Sequence, residues 1–265
     1  MLRHMTFALP HHVIRRAGLL LMTLLLWPLS TLASTGDPTM AVGAGVHRLP
    51  AWSGSNNDQN DPAPYLDIDC PGHGSFSTLG GLHVELLHGP LSGGFYGNYQ
   101  SGRQRSDLET LSGKIPSLPP RFTMGGYLEW QLTHKIDVGA DLSHDINGAG
   151  AYLRWYADWD LPSVGLLHHS VSVSWQAMNG AAMSRFFGIT PIQANMLNVS
   201  PWQPGAGSQL ASLEYDVFLP TSQHTGVALA LVYGRLLGQA ARSPLVMEYG
   251  SPTQLTESLA FVYHM

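Results

Sequence analysis

The chain has 265 residues, a formal net charge of −5 and only 12 % charged residues. Soluble domains carry about 25 %, so a charged skin on every side is excluded, and the acidic balance excludes the basic patch a nucleic-acid partner needs. Cys70 is the one cysteine, which excludes an intramolecular disulfide framework and leaves Cys70 as an apolar filler in a strand.

Residues 1–16 hold Arg3, Arg15 and Arg16 and no acid. An apolar run follows over residues 17–29, then Ser30-Thr-Leu-Ala33. A basic start, a short apolar run and small residues predict a secretory signal peptide over 1–33, cleaved after Ala33. The run is shorter than the roughly 20 residues a spanning helix needs. Its removal takes the net charge from −5 to −8 by loss of three arginines.

Beyond the leader the chain alternates at period two. Residues 40–48 set Met40, Val42, Ala44 and Val46 against Ala41, Gly43, Gly45 and His47. Residues 49–61 read as a polar loop. Residues 63–70 set Leu66, Ile68 and Cys70 against Tyr65, Asp67 and Asp69. Pro71-Gly72 and Gly80-Gly81 bracket Phe76-Ser-Thr-Leu79 as turn signals. Leu82, Val84 and Leu86 then oppose His83 and Glu85, and residues 91–101 follow with Phe95 and Tyr99 on one face.

The clearest strands come next. Over 121–133, Phe122, Met124, Leu128, Trp130 and Leu132 oppose Thr123, Tyr127, Glu129 and Gln131. Over 135–145, Ile136, Val138, Ala140 and Leu142 oppose Asp137, Asp141, Ser143 and Asp145. Over 149–161, Leu153, Trp155, Trp159 and Leu161 oppose Tyr152, Arg154, Tyr156, Asp158 and Asp160. Over 166–178, Leu167, Val171, Val173 and Trp175 oppose His168, Ser170, Ser172, Ser174 and Gln176. Thr190 before Pro191 marks a brief helix by its N-cap. Strands at 208–219 and 225–236 precede the closing stretch Gln254–Met265, whose Leu255, Leu259, Phe261, Tyr263 and Met265 share a face.

Alternation alone fits a soluble sandwich as well as a membrane barrel. The barrel is preferred because strands of about ten residues pair a large aromatic face with a face rich in charge and hydroxyl. The fold expected is all-β: a closed antiparallel transmembrane β-barrel over 34–265, in the outer membrane of a Gram-negative bacterium. Its long loops fall at 102–120, 179–206 and 237–253. Strand count is eleven or twelve according to whether Gly80-Gly81 breaks the chain; even parity favours twelve, with ten as the alternative. Outer-membrane lipid is the first partner. Leu259, Phe261 and Tyr263 are expected to face it on the closing strand, which pairs with residues 40–48. Trp130, Trp155, Trp159 and Trp175 are expected at the lipid interface. Glu129, Asp137, Asp141, Arg154, Asp158 and Ser172 are expected to face the lumen.

Candidate chemistry is sparse. His168 and Ser170 share a strand face, as in outer-membrane deacylases, with Glu129 or Asp141 as orienting acid; the same polar row is explained by a lumen lining. The rows Asp67–Asp69 and Asp137–Asp141–Asp145 do not specify the six to eight converging oxygens of a calcium site. No catalytic residue, metal or cofactor is expected, and the chain reads as a non-enzymatic protein.

Phe187-Gly-Ile-Thr-Pro-Ile-Gln-Ala194, Ser200-Pro-Trp-Gln-Pro-Gly-Ala-Gly207, Gly234-Arg-Leu-Leu-Gly-Gln-Ala-Ala-Arg-Ser-Pro-Leu-Val246 and Ala260-Phe-Val-Tyr263 resemble the MipA/OmpV family of outer-membrane proteins. Gly43-Ala-Gly-Val46 and Pro64-Tyr-Leu-Asp-Ile68 resemble its amino-terminal region. The chain departs from the family at Met265, where an aromatic is usual, and in the loop 102–120. The resemblance implies a barrel without a catalytic role. It implies a scaffold between a lytic transglycosylase and a penicillin-binding protein at the murein layer, or a surface adhesin. A porin-like pore is the alternative, and an outer-membrane lipid hydrolase a remote one.

Overall fold

A computed structural model describes residues 37–265; the leader expected over 1–33 lies outside them. Among the described residues, twelve strands close into one antiparallel barrel in sequence order. They are β1 (Thr39–Pro50), β2 (Asp58–Cys70), β3 (Gly74–Ser77), β4 (Gly81–Leu87), β5 (Leu91–Gln100), β6 (Arg121–Thr133), β7 (Ile136–Asp145), β8 (Ala151–Asp160), β9 (His168–Met178), β10 (Gly207–Pro220), β11 (Thr225–Leu236) and β12 (Thr253–His264). β1 closes the barrel on β12, with Ala41 opposite His264 and Arg48 opposite Glu257. Closure gives every strand a neighbour on each side and leaves sheet edge only where the short β3–β4 hairpin stops.

The faces decide what surrounds the barrel. On β6, Phe122 is 63 % exposed and Trp130 55 %, whereas Thr123 is 2 % exposed and Tyr127 9 %. The greasy residues point outward and the polar ones inward, the reverse of a soluble sandwich. The pattern repeats on β8, where Trp155 and Trp159 are exposed and Tyr156 and Asp158 buried. It repeats on β10, with Leu213 and Leu219 outside and Glu214 and Asp216 inside.

Gly80-Gly81 does break the chain. β3 and β4 form a hairpin whose tip turns through Gly81 at φ +87°, a conformation glycine adopts without a Cβ clash. The polar loop expected over 49–61 is shorter: β1 runs to Pro50 and β2 begins at Asp58. The long connections are not bare loops. Residues 101–120 contain a 3-10 turn at Ser106–Leu111. Residues 179–206 carry helices α1 (Gly180–Phe187) and α2 (Pro191–Leu197), and residues 237–252 carry α3 (Gly238–Ala241) and α4 (Pro244–Tyr249). All three lie at the end of the barrel opposite the chain ends of β1 and β12. In barrels of this type the short turns face the periplasm and the long loops face outside, so this is the extracellular mouth.

Candidate functional site

The extracellular mouth is covered by a folded cap. Its apolar core joins Trp52 of the β1–β2 loop, Leu108, Leu111 and Ile115 of 101–120, Met183, Phe187 and Leu197 of 179–206, and Leu245 and Val246 of 237–252. Local chemistry builds each piece. Asn179 caps α1 by accepting from Ala182 N at 2.9 Å. Thr190 and Gln193 cap α2 reciprocally, with Pro191 at its first turn. Ser243 Oγ, fully buried, donates to Phe187 O at 2.7 Å, and Tyr249 Oη donates to Leu197 O at 2.6 Å, tying 237–252 to 179–206. Arg103 is buried and donates from Nη1 to Phe186 O at 3.2 Å. Burial, with Arg185 nearby, lowers its guanidinium to about 10, so it stays charged at neutral pH. A buried cation held by a backbone carbonyl ties 101–120 to α1.

Below the cap the inner wall is polar. Ladder pairing sets Asp137 opposite Asp158, Asp158 opposite Ser172, and Ser172 opposite Glu214, one row across four strands. One rung higher, Tyr156 donates to Glu129 Oε2 at 3.0 Å. Its ring crosses Gly139, where a Cβ would come within 2.4 Å of Tyr156 Cζ, so only glycine lets the phenol reach Glu129. The next rung holds an ion pair, Arg154 Nε and Nη2 both reaching Asp141 Oδ2 at 2.7 Å; a second pair, Arg121 with Asp145, lies nearer the extracellular end. The Arg154 guanidinium lies 4.8 Å over the Tyr156 ring. Arg154 lines two cavities, one periplasmic and one beneath the cap. The periplasmic cavity is bounded by Tyr65, Asp67, Glu85, Glu129 and Asp158. The outer one is bounded by Tyr96, Asn98, Ser143, Ser172, Ser174 and Gln176.

Of the six polar positions expected in the lumen, Asp141 and Arg154 form a pair, Glu129 accepts from Tyr156, and Asp137, Asp158 and Ser172 are neighbours along one row; they do not form one centre. Leu259, Phe261 and Tyr263 stand on the outer face of β12, between 43 % and 54 % exposed. Trp130 and Trp159 lie near the periplasmic ends of β6 and β8, while Trp155 lies mid-strand opposite Trp175. The His168–Ser170 pair is not assembled: His168 Nδ1 bonds Ser163 Oγ at 3.1 Å, and Glu129 and Asp141 are occupied by Tyr156 and Arg154. The structure adds a pair that strand-face reading did not single out, His47 Nδ1 with Ser258 Oγ at 2.7 Å, both buried across the β1–β12 seam. Ladder register brings these two together, and register is invisible before the barrel is closed.

The family model for MltA-interacting protein MipA matches residues 42–265. A comparison with curated protein sequences finds no match. Among solved structures, the chain is similar to the outer-membrane channel DcaP of Acinetobacter baumannii, at 8 % identity and TM-score 0.39, over 86 % of this chain and 96 % of that one. It is similar to the NanC porin at 9 % identity and TM-score 0.42, over 84 % and 98 %. It is similar to OmpT of Vibrio cholerae at 8 % identity and TM-score 0.35, over 89 % and 99 %.

Proposed function

The chain belongs to the MltA-interacting protein MipA family and is an outer-membrane β-barrel, and from that premise we propose that it works as a non-enzymatic scaffold. It presents its periplasmic end to murein enzymes of the lytic transglycosylase and penicillin-binding classes. The observation that carries this reading is the cap. Four connections share one apolar core over the mouth and are tied by Ser243, Tyr249 and Arg103. A free diffusion path would leave that mouth open. The inner wall beneath carries the Arg154–Asp141 ion pair between neighbouring strands. The unassembled His168–Ser170 pair gives no support to a hydrolase. A passive pore is the second reading, favoured by the polar cavities on either side of Arg154.

The test is capture from detergent-solubilised envelope with the tagged full chain. Recovery of a lytic transglycosylase and a penicillin-binding protein is expected. Recovery should fall when the periplasmic turns at 134–135 and 161–167 are replaced by glycine-serine segments in a barrel that remains heat-modifiable on gels. Equal recovery of both enzymes by an unrelated barrel contradicts the proposal.

A further inference from the structure

The barrel wall is complete on its periplasmic half and notched on its extracellular half. β3 has four residues and β4 seven, against the roughly 9–11 a spanning strand needs. Their hairpin therefore ends partway up the wall. From Asp67 to Cys70, β2 pairs with β3; from Asp58 to Leu66, among the described residues, its ladder partner is β1 alone. On the far side of the notch, β5 pairs with β4 up to Gly97, and from Asn98 to Gln100 its partner is β6 alone. The hairpin tip forms the sill. Thr78 N donates to Leu66 O at 2.9 Å, and Thr78 Oγ1 donates to Pro64 O at 3.1 Å. The head of the opening is bridged by Asn57 Nδ2 donating to Glu109 Oε2 at 2.8 Å.

The edge of β2 is built for this. Pro64 and Leu66 turn their carbonyls away from β1 toward Thr78, so by strand alternation Pro62 turns its edge the same way. At both prolines the missing N–H falls where no ladder partner stands. Proline on an edge blocks the addition of another strand, so neither a peptide nor a second copy of the chain can complete the wall there by backbone pairing. The outer flanks are apolar in their lower part, where Pro62, Pro64, Leu82, Phe95, Phe122 and Met124 are exposed, and polar near the cap, where Asp58 and Asn60 are exposed. The space behind is not. Tyr96, Asn98 and Gln100 on the β5 side line the outer cavity with Ser172, Ser174 and Gln176. Tyr99 belongs to both sides, lining that cavity and meeting the exposed Phe122 edge-on at 5.2 Å.

We propose that the notch between β2 and β5 is a lateral portal for an outer-leaflet amphiphile, which places its polar head in the outer cavity and leaves its acyl chains against the outer wall. The cap closes the cavity from above, and the notch opens it from the membrane. An apolar rim holds the chains, and the head meets the amides and hydroxyls of Asn98, Gln100, Ser172 and Ser174 together with the charged Arg154, Asp141 and Glu214. The proline edge keeps the opening from being sealed by a strand.

The test uses the unmutated chain, folded in vesicles of phosphatidylethanolamine and phosphatidylglycerol. One probe is a phosphatidylethanolamine carrying a diazirine on its head. The other is the same head as a water-soluble glycerophosphoethanolamine without acyl chains. After irradiation, adducts are mapped by mass spectrometry. The portal predicts adducts of the anchored probe on the inward-facing Tyr96, Asn98 or Gln100, in roughly tenfold excess over the tail-less probe, because anchoring raises the local concentration. Adducts confined to exposed rim residues such as Asp58 and Asn60 overturn the proposal. Equal labelling of Tyr96 and Asn98 by both probes overturns it too, since the head then enters from water.

Discussion

Arg154 and Asp141 show how single residues hold the lumen. The carboxylate is 2 % exposed and the guanidinium side chain 19 %, so removing one partner strands a charge in a poorly solvated place. Asp141→Leu should lower the barrel's stability by about 3 kcal/mol, the lower end of the cost of breaking a buried pair because Arg154 keeps some solvent. Adding Arg154→Met should restore much of the loss, since two apolar groups strand nothing. Urea unfolding in lipid, followed by gel mobility, checks both variants; equal losses for the single and the double change would show that the pair is not coupled. Arg103 acts the same way in the cap. Arg103→Met leaves Phe186 O without its donor, a cost of about 1–3 kcal/mol. Extracellular protease should then cut within 101–120 or 179–206 while the strands stay intact. Cleavage no faster than in the parent chain would remove Arg103 from the cap's support.

At the scale of elements, β12 gives the sharpest expectation. Leu259, Phe261 and Tyr263 project outward at successively shorter distances from the periplasmic end of the strand. A cation on the lipid face costs about 2–4 kcal/mol at the midplane and 0–1 near the interface. Leu259→Arg should therefore reduce assembled protein most and Tyr263→Arg least. Ser258→Asp should assemble, because residue 258 faces inward beside His47, which can accept the new carboxylate as a partner. The folded fraction in isolated outer membranes reads the series, and a failing Ser258→Asp with a normal Leu259→Arg would invert the facing of β12. In the cap, Thr190→Ala should cost about 1 kcal/mol through loss of the α2 N-cap. The elements also show what the sequence made legible. β6 to β9 declare themselves because a full-length strand between water and lipid must alternate. The start of β2, Asp58–Asp61, reads as loop because all four residues are polar and Pro62 follows; it is a strand nonetheless, paired to β1 along one edge only. Helix α2 is announced by Thr190-Pro191, whereas α1 passes unseen because Gly180-Ala-Ala is a weak start, though Asn179 is a good cap. The Asp137–Asp158–Ser172–Glu214 row and the Arg154–Asp141 pair depend on register, which the sequence leaves open until closure sets it.

At the scale of the whole molecule, the parts divide the labour. A greasy outer face seats the barrel in lipid, a polar inner wall is pinned between β7 and β8 by Arg154 and Asp141, and long connections that would elsewhere be mobile fold into a cap with its own core. Met265 lies beyond the last strand residue, and its N donates to Met40 O at 2.8 Å, extending the β1–β12 seam. The account stands on a mouth that is closed. The measurement that tests this most directly is single-channel recording of the purified, folded chain in planar lipid bilayers, alongside a variant in which residues 181–205 are replaced by a short glycine-serine turn. The account predicts no steady conductance from the intact chain and the appearance of openings in the variant. Large, steady channels from the intact chain would contradict it.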